Sequence, residues 1–490
     1  MNIFEMKMDL RWGAGKCLAV ISAIAALGIC ELGYGQERPN IVLIMSDDQG
    51  WEDAGYMGHP HAVTPALDEM AAGGLVFNRF YSAAPVCSPT RGSALTGRHP
   101  FRYGIYFANV GHLPEEEPNL ARILKAEGYR TGHFGKWHLG TLTTQLQEGN
   151  RARPGDDTHY APPWKRGFDV AFSTESKVPT YNPLWRPRDF SDHPGNLTYW
   201  WDPDIDPGNV MPYGTRYWNE HGEAVTWDME GPNAAVMMDR TLRFVDDSVE
   251  RGEPFFAVVW FHEPHLPVVA GESDREPFGD LDPYDQHYWG CIKAMDREIG
   301  RLREHLRALD IHENTMIWFT SDNGPEGDVT HPGSAGGLRG RKRDLYEGGI
   351  RVPGIVEWPG TLQAGETDFP AVTSDYLPTL VDLLGIELDG GHAFDGVSLM
   401  PVLKDPTLER EAPIGFMSQG RIAWIGQRFK VIDHQRGGTW AEPPWNLELY
   451  DLVADPSESK DLAAERPDLL DEKTEGLRTW YEAVRNDARN

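Results

Sequence analysis

Cysteine is scarce in this chain: there are four among 490 residues, and two of them, Cys17 and Cys30, bound an apolar leader. With the leader removed only Cys87 and Cys291 remain, so any modification of Cys87 leaves no partner for a disulfide. A disulfide-stapled fold is thereby excluded, and stability rests on a large core, which a mature chain of about 455 residues can supply. Positive charge is also short, with 46 Lys and Arg against 75 Asp and Glu, a net of −29. That balance argues against nucleic acid and against a general attraction for polyanions. An anionic ligand would need a local basic pocket, for which residues 339–343 and 165–166 are the candidate clusters. Past the leader no apolar run is long enough to span a membrane, and internal repeats and long low-complexity tracts are absent.

The leader reads as a secretory signal peptide of residues 1–35. Lys7, Arg11 and Lys16 precede the apolar stretch 17–30, and small and polar residues follow. Cleavage near Gly35 and export, to a periplasm or to the outside, are the expectation. Leu27-Gly28-Ile29-Cys30 resembles a lipobox, but Ile29 is large for the position before a lipidated cysteine, so lipid anchoring ranks second.

Two buried-type strands end in acid. Residues 40–46, Asn-Ile-Val-Leu-Ile-Met-Ser, have the apolar continuity of a strand covered on both faces and stop at Asp47-Asp48-Gln49-Gly50. Residues 315–320 repeat the plan and stop at Ser321-Asp322-Asn323-Gly324. Open α/β sheets bind ligands beyond the carboxyl ends of their strands, so the two ends can converge on one crevice. Three carboxylates and an amide there make an oxygen cage suited to Ca²⁺, and after it Mg²⁺, rather than to Zn²⁺. Taken singly, each segment is an ordinary turn; the joint occurrence after strands is what points to a metal.

Ser88 is placed to cap a helix with Pro89 in its first position, and residues 90–96 can continue it. Cys87 would then sit at a helix N-terminus, where free amides favour an anion. Either the thiolate is a nucleophile of lowered pKa, or the side chain is converted into an oxygen nucleophile that a hard cation can hold. A buried structural cysteine is the plain alternative.

Residues 87–92, Cys-Ser-Pro-Thr-Arg-Gly, resemble the Cys-x-Pro-x-Arg signature of the sulfatase family. Residues 128–140, Gly-Tyr-Arg-Thr-Gly-His-Phe-Gly-Lys-Trp-His-Leu-Gly, resemble its second signature. Pro264-His265-Leu266-Pro267, residues 338–342 and residues 346–353 resemble later family motifs, so the likeness runs from residue 38 to the segment 448–452. The resemblance implies that a maturation enzyme oxidises Cys87 to formylglycine (3-oxoalanine). It also implies that Asp47, Asp48, Asp322 and Asn323, with residue 87, ligate Ca²⁺.

A sulfate ester needs positive charge around its oxygens, a nucleophile in line with the leaving oxygen and a proton for the departing alcohol. Arg91, Lys136, His138, His265 and Lys342 can supply these. Hydrated formylglycine is a geminal diol: one hydroxyl attacks sulfur, and deprotonating the other expels sulfate and restores the aldehyde. By resemblance, His138 assists that deprotonation, His265 or Lys342 protonates the leaving group, and Arg91 holds the formylglycine. Lys136, His265 and Lys342 would also contact substrate. His59, His61, His133 and His262 fall outside these roles, although His262 is close enough to His265 to support it.

Helical spacing of Ile292, Met295, Ile299, Leu302 and Leu306 lies between the strand-like runs 255–261 and 315–320, and residues 376–386 read as a late helix with Pro378 in its first turn. This alternation predicts an α/β fold with a large, doubly wound, mixed but mostly parallel sheet flanked by helices over residues 37–408, alkaline-phosphatase-like by resemblance. Residues 409–490 read as a smaller α+β unit, with an antiparallel sheet that includes 421–425 and 429–432 and a helix at 469–484. Residues 141–235 form an irregular insertion rich in Trp, Tyr, Pro, Asp and Arg. Aromatic faces beside Arg and Asp suit a sugar ring, and Trp185, Arg186 and His193 are the substrate-side candidates. The alternative is that aromatics such as Trp164, Trp200, Trp201 and Trp218 pin the insertion to the core. Asn196-Leu197-Thr198 is a glycosylation sequon, meaningful only in a eukaryotic secretory route.

The reading is a Ca²⁺-binding, formylglycine-dependent sulfatase, a sulfuric ester hydrolase acting on a sulfated saccharide or aryl sulfate, similar to the arylsulfatase and N-acetylgalactosamine-6-sulfatase group. One alternative is a phosphodiesterase or phosphonate monoester hydrolase of the same superfamily, distinguished by the number of cations around the ester oxygens. The other is a non-catalytic binder of sulfated glycans with Cys87 unmodified.

Overall fold

Alternate residues of single strands divide the core in two. In the Asn40–Ser46 strand Ile41, Leu43 and Met45 enter one hydrophobic cluster and Val42 and Ile44 another on the opposite face, each at most 2% exposed. Thr315–Ser321 splits the same way, Met316 and Trp318 against Ile317 and Phe319. Strands covered on both faces have no polar face to show, which is why these runs lack alternation.

This computed structural model describes residues 38–388, 393–435 and 437–488; the leader 1–35 lies outside them. The two acid-ended strands are neighbours and parallel, with Ser46 opposite Ser321. They lie inside a ten-stranded sheet. Its five central strands, in the order Val170–Thr174, Arg130–Lys136, Phe255–Trp260, Asn40–Ser46 and Thr315–Ser321, are all parallel. Antiparallel pairings bring in Tyr217–Asn219 on one side and Gly354–Glu357 on the other, so the sheet is mixed and mostly parallel.

Helices cover both faces. Pro283–Ala308 begins where Asp282 accepts hydrogen bonds from the N–H groups of Tyr284 and Asp285 at 3.0 and 3.2 Å, with Pro283 at its first position. Met295, Ile299, Leu302 and Leu306 then pack into one face together with Phe244 and Val245 of Asn233–Arg251. On the other face Cys87–Thr96, Leu120–Ala126 and Tyr376–Leu384 contribute Leu95, Leu124 and Leu380. No described helix is long and apolar enough to cross a membrane.

The stretch 141–235 is less irregular than its sequence suggests. It gives Val170–Thr174, Tyr217–Asn219 and Ala224–Val225 to one side of the large sheet and forms two small ribbons, Trp185–Pro187 with Val210–Pro212 and Gly195–Asn196 with Trp200–Trp201. Most of these strands are two or three residues long, too short to display a period.

Toward the C-terminus Ile414–Ser418, Arg421–Ile425, Phe429–Asp433 and Glu448–Asp451 form an antiparallel sheet in chain order. One face receives Leu477, Tyr481 and Val484 of the helix Pro467–Asp487. From the other, Phe416, Ala423, Ile425 and Ile432 share a cluster with Tyr81, Leu345, Ile350 and Val372 of the large body. Residues 39–490 thus make one compact unit.

An ion cluster crosses this junction. Lys430 Nζ lies 3.2 Å from Glu347 Oε1 and 2.8 Å from Glu458 Oε1, with all three side chains fully buried. Without their shared cation Glu347 and Glu458, the latter already pushed up to about 7 by burial, would face each other in a dry interior with Arg351, 3.8 Å from Glu347, left to balance them, a loss of about 3–5 kcal/mol. Lys430→Ala should lower the unfolding free energy by about that amount in urea titration, and a loss under about 1 kcal/mol would contradict the assignment.

Candidate active site

Four neighbouring parallel strands end on one edge of the sheet. Asn40–Ser46 hands over to Asp47 and Asp48, and Thr315–Ser321 to Asp322 and Asn323. Arg130–Lys136 ends on Lys136 two residues before His138, and Phe255–Trp260 leads on to His262, Glu263 and His265. Parallel alignment brings these ends together without any long loop.

Cys87 arrives on a helix that starts two residues earlier than expected. Cys87–Thr96 has Val86 at its cap position in extended conformation, and Ser88 Oγ finds no hydrogen-bond partner. Thr90 ties the turn instead, its hydroxyl donating to Ala84 O at 2.8 Å and accepting from Ala84 N at 3.2 Å. Cys87 is therefore itself in the first helical turn, among the amides left free there. Burial pushes its thiol up to about 12 against the pull of Lys136 and Lys342. The lowered-pKa thiolate is not what this environment produces, despite the helix terminus.

The carboxylates are buried together and interlocked with cations. Lys136 Nζ donates to Asp47 Oδ2 at 2.6 Å. Arg91 Nη2 lies 2.6 Å from Asp322 Oδ2 and 3.5 Å from Asp47 Oδ2, while Arg91 Nη1 donates to Lys136 O at 3.1 Å. Lys342 Nζ sits 2.6 Å from Asp48 Oδ1 and 3.0 Å from Glu326 Oε2. Asn323 Nδ2 donates to Asp48 Oδ1 at 2.7 Å, and the Asp48 N–H to Asp322 Oδ1 at 3.1 Å. Asp48, Asn109, His138 and Arg343 all hold positive φ, 66°, 62°, 57° and 78°. Such conformations cost about 1–3 kcal/mol each and persist where surroundings impose them, which here is in and around this cluster.

Two buried oxygens, Asp47 Oδ1 and Asn323 Oδ1, accept no hydrogen bond. Atoms of Asp47, Asp48, Cys87 and His265 also lie within 4.8 Å of one another. Orphaned oxygens beside further carboxylate oxygens are a donor set that fits a hard divalent cation. Burial raises Asp48, with Lys342 opposing, and raises Asp322, with Asp47 adding to it. A cation would relieve both.

Over this cluster opens a cleft of ≈ 280 Å³, lined by Cys87, Lys136, His138, His265 and Lys342 among others. Although burial works against its charge, Lys342 is held well above the usual lysine range by Asp48, Cys87 and Glu326. His138 and His265 are held well below the usual histidine range, each by burial and then by Lys136, so both imidazoles are neutral. Asn109 Oδ1 lies 2.8 Å from His138 Nε2 and accepts from Asn150 Nδ2 at 2.8 Å. An amide oxygen only accepts, so the His138 proton sits on Nε2. Its Nδ1, buried without a partner, keeps a lone pair.

The structure thus brings Asp47, Asp48, Cys87, Arg91, Lys136, His138, His265, Asp322, Asn323 and Lys342 to one place. Trp185, Arg186 and His193, the substrate-side candidates, do not line the cleft. Trp185 lies 41% exposed on a ribbon, Arg186 Nη1 donates to Pro187 O at 3.1 Å, and His193 Nε2 meets Asp202 O at 2.9 Å. Other aromatics of the stretch pin it down: Trp218 Nε1 donates to Glu148 at 2.8 Å, and Trp200 stacks on His287. Sequence reasoning missed Asn109, Asn150, Ser176, Lys177, Thr198 and Glu326, all at the cleft. They are single polar residues in turns, a signal that spacing does not separate from solvated loop.

A sulfatase family model matches residues 39–386, and the chain belongs to the sulfatase family. Arylsulfatase A of Homo sapiens is 34% identical over 462 residues, spanning 86% of this chain and 83% of that protein. N-acetylgalactosamine-6-sulfatase of Sus scrofa is 33% identical over 433 residues, spanning 84% of this chain and 74% of that protein. Among solved structures, Ps i-CgsB in complex with k-i-k-neocarrahexaose aligns with a TM-score of 0.75 at 26% identity, covering 91% of this chain and 93% of the other. The chain is a sulfuric ester hydrolase on an alkaline-phosphatase-like fold.

Asn109 fixes the tautomer of His138, a positioning role. Asn109→Ala should lower kcat for an aryl sulfate by on the order of 10²-fold with KM little changed. Circular dichroism should show the fold retained. An unchanged kcat would contradict the assignment.

Proposed function

We propose that the protein hydrolyses sulfate esters of a saccharide, using formylglycine made from Cys87 and a Ca²⁺ held by Asp47, Asp48, Asp322 and Asn323. The observation that carries this is the juxtaposition of Cys87 with Lys136 and Lys342 over a buried oxygen cage with two unpartnered acceptors. A hydrated aldehyde at position 87 would supply an oxygen nucleophile that a hard cation can ligate, which a thiol does poorly. The names of the relatives, an arylsulfatase, an N-acetylgalactosamine-6-sulfatase and a protein complexed with a neocarrahexaose, support a sulfated sugar as substrate. The charged leader of residues 1–35 supports export.

The side chains divide the remaining work. Arg91, pinned by Asp322 and by Lys136 O, positions residue 87. Lys136, Lys342 and His265 hold the ester oxygens, where preorganised donors act strongly because water is excluded. His138, neutral with a free Nδ1, accepts a proton. Lys342 and His265 both line the cleft, and one of the two protonates the leaving oxygen.

The test is mass spectrometry of the peptide containing Cys87, on protein from its native host, together with sulfate release from 4-methylumbelliferyl sulfate. The expected result is an aldehyde at position 87, turnover, and its abolition in Cys87→Ala. Turnover by a chain whose Cys87 is wholly an unmodified thiol would overturn the mechanism. A thiol without turnover would favour the glycan-binding alternative, and preference for an aryl phosphate or phosphonate over the sulfate would favour the phosphoester one.

A further inference from the structure

One wall of the cleft is built from the 141–235 stretch and carries Asn150, Ser176, Lys177 and Thr198. Asn150 has a structural task, donating to Ser176 Oγ at 2.9 Å and to Asn109 at 2.8 Å. Lys177 has none. Among the described residues its ammonium makes no hydrogen bond or ion pair, whereas the other lysines and the arginine of the cleft are matched. Lys136 pairs with Asp47, Lys342 with Asp48 and Glu326, and Arg343 with Glu326.

The setting of Lys177 is costly as it stands. The side chain is partly withdrawn from water, and its neighbours Lys136 and Lys342 carry the same charge; both effects disfavour its protonated form. Asp48 and Glu326 pull the other way, but Lys342 already occupies both. Lys177 lines the same cleft as Lys136, His265 and Lys342, so its side chain borders the place where the ester sulfate would be held. A cation left unmatched beside a substrate site gains most from an anion that arrives with the substrate. The scissile sulfate carries a single negative charge and already has Lys136 and Lys342.

We propose that Lys177 binds a second anionic substituent of the substrate, a sulfate or carboxylate near the scissile ester, so that the cleft selects multiply charged sugars. This rests on the sulfatase reading above. It assigns specificity to a residue outside the cage and outside the chemical step.

The experiment compares sulfate release from matched pairs: N-acetylgalactosamine 6-sulfate with its 4,6-disulfate, and N-acetylglucosamine 6-sulfate with glucosamine 2-N,6-O-disulfate. 4-Methylumbelliferyl sulfate serves as the singly charged reference. The wild-type enzyme should favour the doubly charged member of at least one pair by about tenfold or more in kcat/KM, mostly through KM. Lys177→Ala should erase that preference, and Lys177→Arg should keep most of it. No preference in the wild type, or an equal loss on every substrate in Lys177→Ala, would overturn the proposal; the second result would make Lys177 another ligand of the scissile sulfate. Cleavage of the aryl ester with no release from any sugar would instead sink the saccharide reading and this proposal with it. Failure on the aryl ester as well, with the aldehyde present, would sink the sulfatase mechanism itself.

Discussion

Three carboxylates held out of water at the ends of two adjacent strands set the terms for everything around them. Asp47, Asp48 and Asp322 are each at most 1% exposed, and burial alone pushes Asp48 and Asp322 toward the neutral acid. Such a cluster survives only if opposite charge is packed against it with good geometry. Each neighbouring element answers that demand. The next strand but one ends in Lys136, the helix after Cys87 sends in Arg91, and the loop beyond Asn323 returns Lys342. Arg91 is further fixed by lying over the Trp260 ring, 5.3 Å from its centroid.

The same arrangement explains why the site suits a sulfate ester. A divalent cation in the cage would take over part of the charge balance and release lysine ammonium groups to face anionic oxygens. The histidines stay neutral because burial, and after it the surrounding lysines, hold their proton affinity down. Proton acceptors and proton donors thus coexist within one cleft, set apart by environment rather than by residue type. The C-terminal sheet bears on this indirectly, because Lys430 locks Glu347, five residues beyond Lys342, into a shared core.

Much of this was legible in the sequence for a physical reason. Residues 40–46 and 315–320 are apolar on both faces, so they could only be central strands, and the acids that follow them had to fall at one sheet edge. The helix through Ile292 and Leu306 was equally plain from its period. The helix start at Cys87 was misplaced by two residues, because Ser88-Pro89 has the composition of a cap while Val86 has the backbone of one. The substrate wall was the hardest part. Trp185, Arg186 and His193 attract attention by their chemistry, yet none of them lines the cleft. Asn109, Asn150 and Lys177 carry no such signal, because their importance comes from tertiary contacts between segments far apart in the chain.

The central claim is that the buried cage is a cation site, and calorimetric titration of Ca²⁺ into chelator-stripped protein tests it most directly. The account predicts one saturable site per chain in the wild type, lost in Asp322→Ala with the fold retained. Absence of binding, or binding that survives in Asp322→Ala unchanged, would contradict it.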